Sequence, residues 1–467
     1  MSLSIRKSLF ITKPVSHLMQ EAGESKNSLK RTLGPGNLIA LGIGAIIGAG
    51  LFVRTAAAAA QHAGPSVTIG FIIASIGCAF AGLCYAEFAS MIPIAGSAYT
   101  YSYATMGEFI AWIIGWDLVL EYGVGAATVA IAWAEYFNKF LEIFGTRVPY
   151  QWCHSPFQHS TDGISGIVNL PALGIVVVLS LLLIRGMQES AVVNAIIVIL
   201  KVAIVIVVIV IGWEYIKPAN HTPFIPAPTT YTDHDGISYN YGGILGILGA
   251  AGTVFFAFIG FDAVSTAAQE TKNPKRDMPI GILGSLVICT ILYILFSYVL
   301  TGIASVEEFR TKGSEASVVY AIEHMSGSMV GGVWVPAFKW LSDLVTIAIL
   351  GGFSSVILVM LMGQSRVFYS MSKDGLVPKV FSQIHPKFKT PYKSNLIFLL
   401  LVGAFATFIP GDIVGDMTSI GTLFAFILVC AGVWIMRVKH PEIKREFKVP
   451  AVKLVAILGI LVCLAMI

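Results

Sequence analysis

The sequence predicts an all-α polytopic membrane protein of about eleven spans. Three observations carry that reading: a charged fraction too low for a water-facing surface, eleven apolar runs of spanning length, and glycine-rich interruptions in two of those runs. Of 467 residues, 56% are hydrophobic and 12% charged, with mean hydropathy +0.80. A soluble domain carries about 25% charged residues. A chain with half that share lacks polar surface to face water, so its solvent is lipid. The net charge of +4 is spread over loops and forms no nucleic-acid-binding face. Cys78, Cys84, Cys289, Cys430 and Cys463 lie in apolar runs and Cys153 in a loop. No pair has CxxC spacing, so neither a zinc site nor a disulfide framework is expected, and no cofactor is implied. The N-terminal stretch reads as a cytosolic tail, because it has no apolar core followed by a small-residue cleavage site.

A spanning helix needs about 20 mainly apolar residues. Such runs lie near 37–60, 66–91, 108–140, 167–185, 190–213, 242–268, 279–303, 336–364, 394–410, 414–436 and 449–467. Lys and Arg collect in cytoplasmic loops. With the N-terminus inside, 22 of the 30 Lys and Arg fall on the cytoplasmic side and 6 outside, with Arg54 and Lys201 inside the membrane.

The first run reads LIALGIGAIIGAGLFV, with Gly42, Gly44, Gly48 and Gly50, and the sixth reads GTVFFAFIGFDAVST, with Gly260 before Asp262. Glycine weakens helix, and a helix in lipid breaks only where it lines a cavity. Broken helices five spans apart point to the binding site of an inverted-repeat carrier. The bland alternative is close helix packing at small residues. A phosphate-binding glycine loop is excluded, since it requires a preceding strand and an acid about 20 positions on, and residues 61–70 carry no acid.

Ionisable residues inside spans are costly and are functional candidates. Lys201, in NAIIVILKVAIVIVVI, is too deep to reach either interface. It must gather oxygen ligands or give up its proton, or else form a permanent ion pair between helices. Glu121 lies one turn before Gly125, so both face one side; its carboxylate is suited to an ammonium group or to a neighbouring helix. Asp262 is expected to cap the half-helix that follows the break. Glu87 and Asp117, near helix ends, are expected to be structural, while Arg54 either attracts anions or pairs with an acid. Ser354 and Ser355 place adjacent hydroxyls midway along the eighth run, where bonding to their own backbone is the alternative to a functional role. His154, His159 and His221 show no metal-ligand spacing and are expected to be solvated, and Asn220 opens a glycosylation sequon.

The segments GAIIGAGLF, AGLCYAEFASMIPIAGSAYTYSYATMGEFIAWIIGWDLVLEYG, FFAFIGFDAVSTAAQETKNPKRDMPIGI and GQSRVFYSMSKDGLVPKVF resemble the cationic amino acid transporter family of the amino acid–polyamine–organocation superfamily. The resemblance runs from about Leu33 to Lys448. It implies a five-plus-five inverted repeat with helices 1 and 6 broken around an amino-acid site. The domains would then be a cytoplasmic tail over 1–36, a first repeat over 37–213, an extracellular loop over 214–241, a second repeat over 242–436, and a cytoplasmic loop with helix 11 over 437–467.

By the same resemblance the substrate carboxylate meets N–H groups near Ile47, at Gly48, Ala49 and Gly50, consistent with the anion affinity of a half-helix N-terminus. The ammonium meets carbonyls of Ile46 and of Phe256, Ala257 and Ile259, beside Phe258, with Phe256 as an aromatic gate. Lys201 takes the place of a sodium ion, near the carbonyls of Gly44 and Ala45 and near Ser354 and Ser355. Members usually carry more spans than the eleven visible here, which implies a shortened C-terminal end. Phe353, before the hydroxyl pair, narrows the pocket for an arginine side chain. The expected function is import of an L-amino acid by proton-coupled alternating access at the inner membrane. Proton-free exchange and cationic selectivity are the alternatives. The partners are the amino acid, the proton, the bilayer and an undefined accessory subunit.

Overall fold

The computed structural model describes residues 10–14, 33–92, 97–160, 163–186, 191–233, 236–312 and 317–467. The tail charges Arg6, Lys7, Lys26, Lys30 and Arg31 lie outside them. Each of the eleven apolar runs folds as helix. Among the described residues, seven helical stretches are long and apolar enough to cross a membrane, and four shorter apolar helices accompany them, Pro35–Ile46, Leu170–Ile184, Tyr392–Phe408 and Val452–Met466.

Span 1 is two half-helices. Pro35 starts the first, Pro35–Ile46, at a position where its missing N–H costs nothing. Ile47 then turns extended, with φ −73° and ψ 100°, and helix resumes through a wide turn at Gly50–Arg54 and continues to Ala63. Gly64, at φ 56°, reverses the chain into span 2, Val67–Met91. Span 3 runs from Glu108 to Glu142, with a π-helical turn at Val119–Val124 in its middle. Asn169 caps span 4, Leu170–Ile184, by accepting from the Ala172 N–H. Span 5 is Ala191–Trp213.

Span 6 is broken like span 1. Its first half, Gly243–Phe255, tightens through Phe256–Phe258 and ends at Ile259 in extended backbone. Gly260 takes φ 112°, open to glycine alone at low cost, and one further helical turn follows at Ala263–Thr266. Spans 7, 8, 9, 10 and 11 are Pro274–Ile303, Lys339–Lys373, Tyr392–Phe408, Gly411–Lys439 and Val452–Met466.

Three boundaries differ from the sequence reading. Span 7 begins at Pro274 rather than 279, because Pro279 lies close enough to the helix start to forfeit a single bond near water. Spans 8 and 10 outrun their apolar segments, ending at Lys373 and Lys439. A helix at Ser97–Thr105 and two small hairpins, Thr229–Thr232 with Ser238–Tyr241 and Gly327–Val330 with Val333–Pro336, lie in what read as loops.

Polar clamps join the helix ends. Glu87, expected to be structural, is buried in span 2 and receives Arg437 Nε and Nη2 at 2.8 and 2.6 Å, the Val449 N–H at 2.8 Å, and Arg445 at 3.2 Å. That cluster fixes spans 2 and 10 to the link before span 11. On the same face the segment 10–14 docks on the bundle: Lys13 reaches Asp374 at 2.9 Å, and the Glu108 N–H donates to Ile11 O at 3.1 Å. His154 departs from expectation. It is buried, and it stacks on Tyr150 at 3.7 Å between ring centroids.

Candidate functional site

The two helix breaks meet at the centre of the bundle. A Cβ added to Gly50 would overlap the backbone of Ala257, and one on Gly260 would lie 3.0 Å from the Ala45 carbonyl oxygen. Only glycine lets the broken strands of spans 1 and 6 approach so closely. The second half-helix of span 1 begins there, so the N–H groups of Gly48, Ala49 and Gly50 stand where helix geometry leaves donors without intrahelical acceptors.

Lys201 is 3% exposed, and its Nζ donates to the carbonyls of Gly44 and Ile47, both at 2.9 Å. These are C-terminal carbonyls of the first half-helix, where the helix dipole favours a cation. Of the two carbonyls named from the sequence, that of Gly44 lies against Lys201, whereas Ala45 turns its carbonyl to Gly260 and Ile47 supplies the second oxygen. Ser354 donates to Leu350 O at 2.8 Å and accepts from Trp133 Nε1 at 3.1 Å, so its hydroxyl is committed to its own helix and to span 3. Ser355 is buried beside it.

Tyr293, on span 7, joins the candidate site and was missed by the sequence reading. Its hydroxyl lies 2.9 Å from the carbonyl of Ile46 and 2.9 Å from that of Ala257, bridging both broken helices. Two of the carbonyls expected to receive an ammonium group are therefore already engaged, each with a second lone pair to spare. A tyrosine in an apolar span gives no periodic signal, and nothing local marks its partner. Gly352 was also missed. It faces Lys201 from span 8, where a Cβ would stand 2.5 Å from Lys201 Cε.

Phe353 is fully buried. It packs on Tyr136 at 5.6 Å and Phe52 at 6.3 Å, and with Ile47, Lys201 and Gly352 it borders a gap too small for water. Phe256 and Phe258 are buried at the break in span 6.

Glu121 is 0% exposed in the wide turn of span 3 and faces Asp262. Asp262 makes no side-chain cap on the half-helix, contrary to the sequence reading; its carboxylate accepts from the Tyr122 hydroxyl and from Ser97 Oγ at 3.3 Å. The physical reason is that span 3 delivers a stronger donor than the following turn. Gly125 faces Thr418 and Met360 rather than the breaks.

Two cavities flank the breaks, and each is bordered by an ion pair. Towards the N-terminal face, a cavity of about 140 Å³ is lined by Asn37, Leu41, Thr266, Glu270, Met362 and Arg366, with Arg366 and Glu270 3.4 Å apart. Towards the opposite face, a cavity of about 70 Å³ reaches Ala49 and is bordered by Arg54, Glu135 and Asp412. Arg54, unassigned from sequence, is buried and ion-paired with Asp412 at 2.8 Å and with Asp416, both on span 10. Among the described residues no cluster of His, Cys, Asp and Glu is arranged for a metal ion.

A polytopic helical bundle with two discontinuous spans meeting at its centre defines a membrane transporter rather than an enzyme. The sequence profile of the amino acid permease family matches residues 33–467, and the chain belongs to that family. It is 41% identical over 463 residues to a branched-chain amino acid permease of Bacillus subtilis, covering 99% of this chain and 93% of the relative. It is 39% identical to a methylthioribose transporter of the same organism, covering 98% of this chain and 92% of the relative. A vacuolar cationic amino acid transporter of Arabidopsis thaliana is 32% identical, covering 91% of this chain and 66% of that protein.

Proposed function

We propose that this chain imports a neutral, medium-sized L-amino acid together with a proton, by alternating access across a five-plus-five inverted repeat. The observation that carries the proposal is the seat of Lys201. Its ammonium holds two carbonyls at the end of a half-helix, an arrangement that a cation stabilises more strongly than a neutral amine does. Protonation then ties span 5 to the break in span 1, and loss of the proton releases it. A proton that binds one state better than the other biases their equilibrium. Breaks in spans 1 and 6, five spans apart, support the inverted repeat. The Lys and Arg excess supports an N-terminus in the cytoplasm and an inner-membrane location.

Selectivity rests on shape. The substrate carboxylate would meet the amides of Gly48, Ala49 and Gly50, and its ammonium the carbonyls of Ile46, Phe256, Ala257 and Ile259. Phe353, wedged between Phe52 and Tyr136, leaves an apolar wall that suits leucine, isoleucine or valine better than arginine. The similarity to a branched-chain amino acid permease of Bacillus subtilis supports this reading.

The test is uptake into proteoliposomes containing the purified chain. Labelled leucine should accumulate when an inward proton gradient is imposed, and unlabelled leucine or isoleucine should compete better than arginine or methylthioribose. Accumulation that ignores the gradient, with trans-stimulated counterflow intact, would assign the chain as an exchanger. Stronger competition by methylthioribose would assign a thiosugar carrier.

A further inference from the structure

We propose that the face carrying the N-terminal segment holds a binding site for one anionic phospholipid, built from the start of span 7 and the link before span 11. A groove of about 650 Å³ lies there, lined by Lys275, Arg276, Pro279, Ile280, Leu283, Gly284, Glu446 and Phe447. The lining is basic at its outer end and apolar below. Glu446 is spoken for, with its carboxylate 3.8 Å from Lys275 and 3.4 Å from Lys444. Arg276 is exposed, and among the described residues its guanidinium has no acidic partner. Lys272 and Lys448 are exposed close by in the chain. The mouth therefore presents an uncompensated fork of N–H donors of the kind that matches a phosphodiester.

The apolar floor continues along the helix. Leu283 is half-buried, and Val287 and Ile291 follow it at four-residue intervals with both exposed, so the three form one stripe. From Ile280 to Ile291 the helix rises about 16 Å, close to the ~15 Å thickness of one leaflet of hydrocarbon. A headgroup on Arg276 and Lys275 would thus lay its acyl chain along that stripe. Basic pockets at the ends of membrane helices take anionic headgroups in this way. A free phosphate would use the mouth and leave the floor empty, and a zwitterionic lipid would use the floor while bringing its own cation to Arg276. The observations favour the anionic lipid because both halves are present and continuous.

The experiment is native mass spectrometry of the full chain, delipidated in detergent and titrated with dioleoyl phosphatidylglycerol. Parallel titrations use dioleoyl phosphatidylcholine and glycerol phosphate. The first phosphatidylglycerol should bind well above the others. Lys275→Gln with Arg276→Gln should weaken it roughly 30-fold, on about a fivefold contribution from each charge near the headgroup. Lys379→Gln with Lys387→Gln, on the same face but outside the groove, should leave it unchanged. Equal binding by phosphatidylcholine, competition by glycerol phosphate at the same concentration, or undiminished binding to the first double variant each overturns the proposal. These positions are exposed, so the variants fold, and binding is read independently of transport.

Discussion

The side chain of Lys201 occupies the space that a Cβ on Gly352 would need, with its Cε 2.5 Å from that position. Span 8 therefore shapes the seat of the lysine through the missing side chain of Gly352. Gly352→Ala should push the ammonium off the Gly44 and Ile47 carbonyls. Coupling should suffer before folding does, since helix propensity itself improves with alanine. We expect gradient-driven accumulation to fall at least tenfold, which is what about 1.4 kcal/mol of lost coupling amounts to, with detergent stability little altered. Unchanged accumulation would show that the lysine relaxes around the methyl group.

Tyr293→Phe removes one hydroxyl and leaves the ring packed at steep angles against Phe71 and Phe258. The Ile46 and Ala257 carbonyls lose their shared donor, at about 1 kcal/mol for a net hydrogen bond. The variant should stay folded and show altered substrate affinity, because the freed carbonyls are those proposed for the ammonium. Wild-type affinity, measured by scintillation proximity binding, would confine Tyr293 to joining the two breaks.

Arg54, ion-paired with Asp412 and Asp416, borders the cavity that reaches Ala49, and a gating role for this cluster is testable. Arg54→Gln should open that cavity. Placed on this background, Ala49→Cys should react faster with a membrane-impermeant thiol reagent than the same cysteine in a chain with Arg54 intact. The background is low because Cys78, Cys84, Cys153, Cys289, Cys430 and Cys463 are all buried. Equal labelling rates in the two chains would remove the gating role.

Phe353→Ser should widen the pocket and raise competition by arginine relative to leucine. The magnitude for lost apolar contact is about 1–3 kcal/mol. Leucine affinity should fall as arginine affinity rises, read from competition in the same liposomes. Arginine already preferred by the unmodified chain would contradict the steric reading.

Much of this arrangement was legible in the sequence, and for identifiable reasons. Apolar runs marked the eleven spans because a helix that crosses lipid must stay apolar for about 20 residues. Glycines at 42–50 and at 260 marked both breaks because broken backbone needs them. Lys201 was conspicuous because a lone charge in NAIIVILKVAIVIVVI has no local explanation. What was not legible depends on contacts between distant segments. Tyr293 gains its role only once spans 1, 6 and 7 pack, and Arg54 only once Asp412 and Asp416, some 360 residues away, are brought beside it. Asp262 read as a cap from its neighbours in sequence, whereas Tyr122 from another span claims its carboxylate. The helix at Ser97–Thr105 escaped notice because its Tyr, Ser and Thr residues are buried against protein rather than lipid.

The most direct test of the account is the response of Lys201 variants to an imposed proton gradient in liposomes. Lys201→Ala removes the cation from the Gly44 and Ile47 carbonyls, and Lys201→Arg keeps a cation that never gives up its proton. Both should bind substrate, and neither should concentrate labelled leucine when the outside is acidified, whereas the unmodified chain does so. If Lys201→Ala still accumulates leucine against its gradient under acid drive, the proton travels by another group, and the central claim fails.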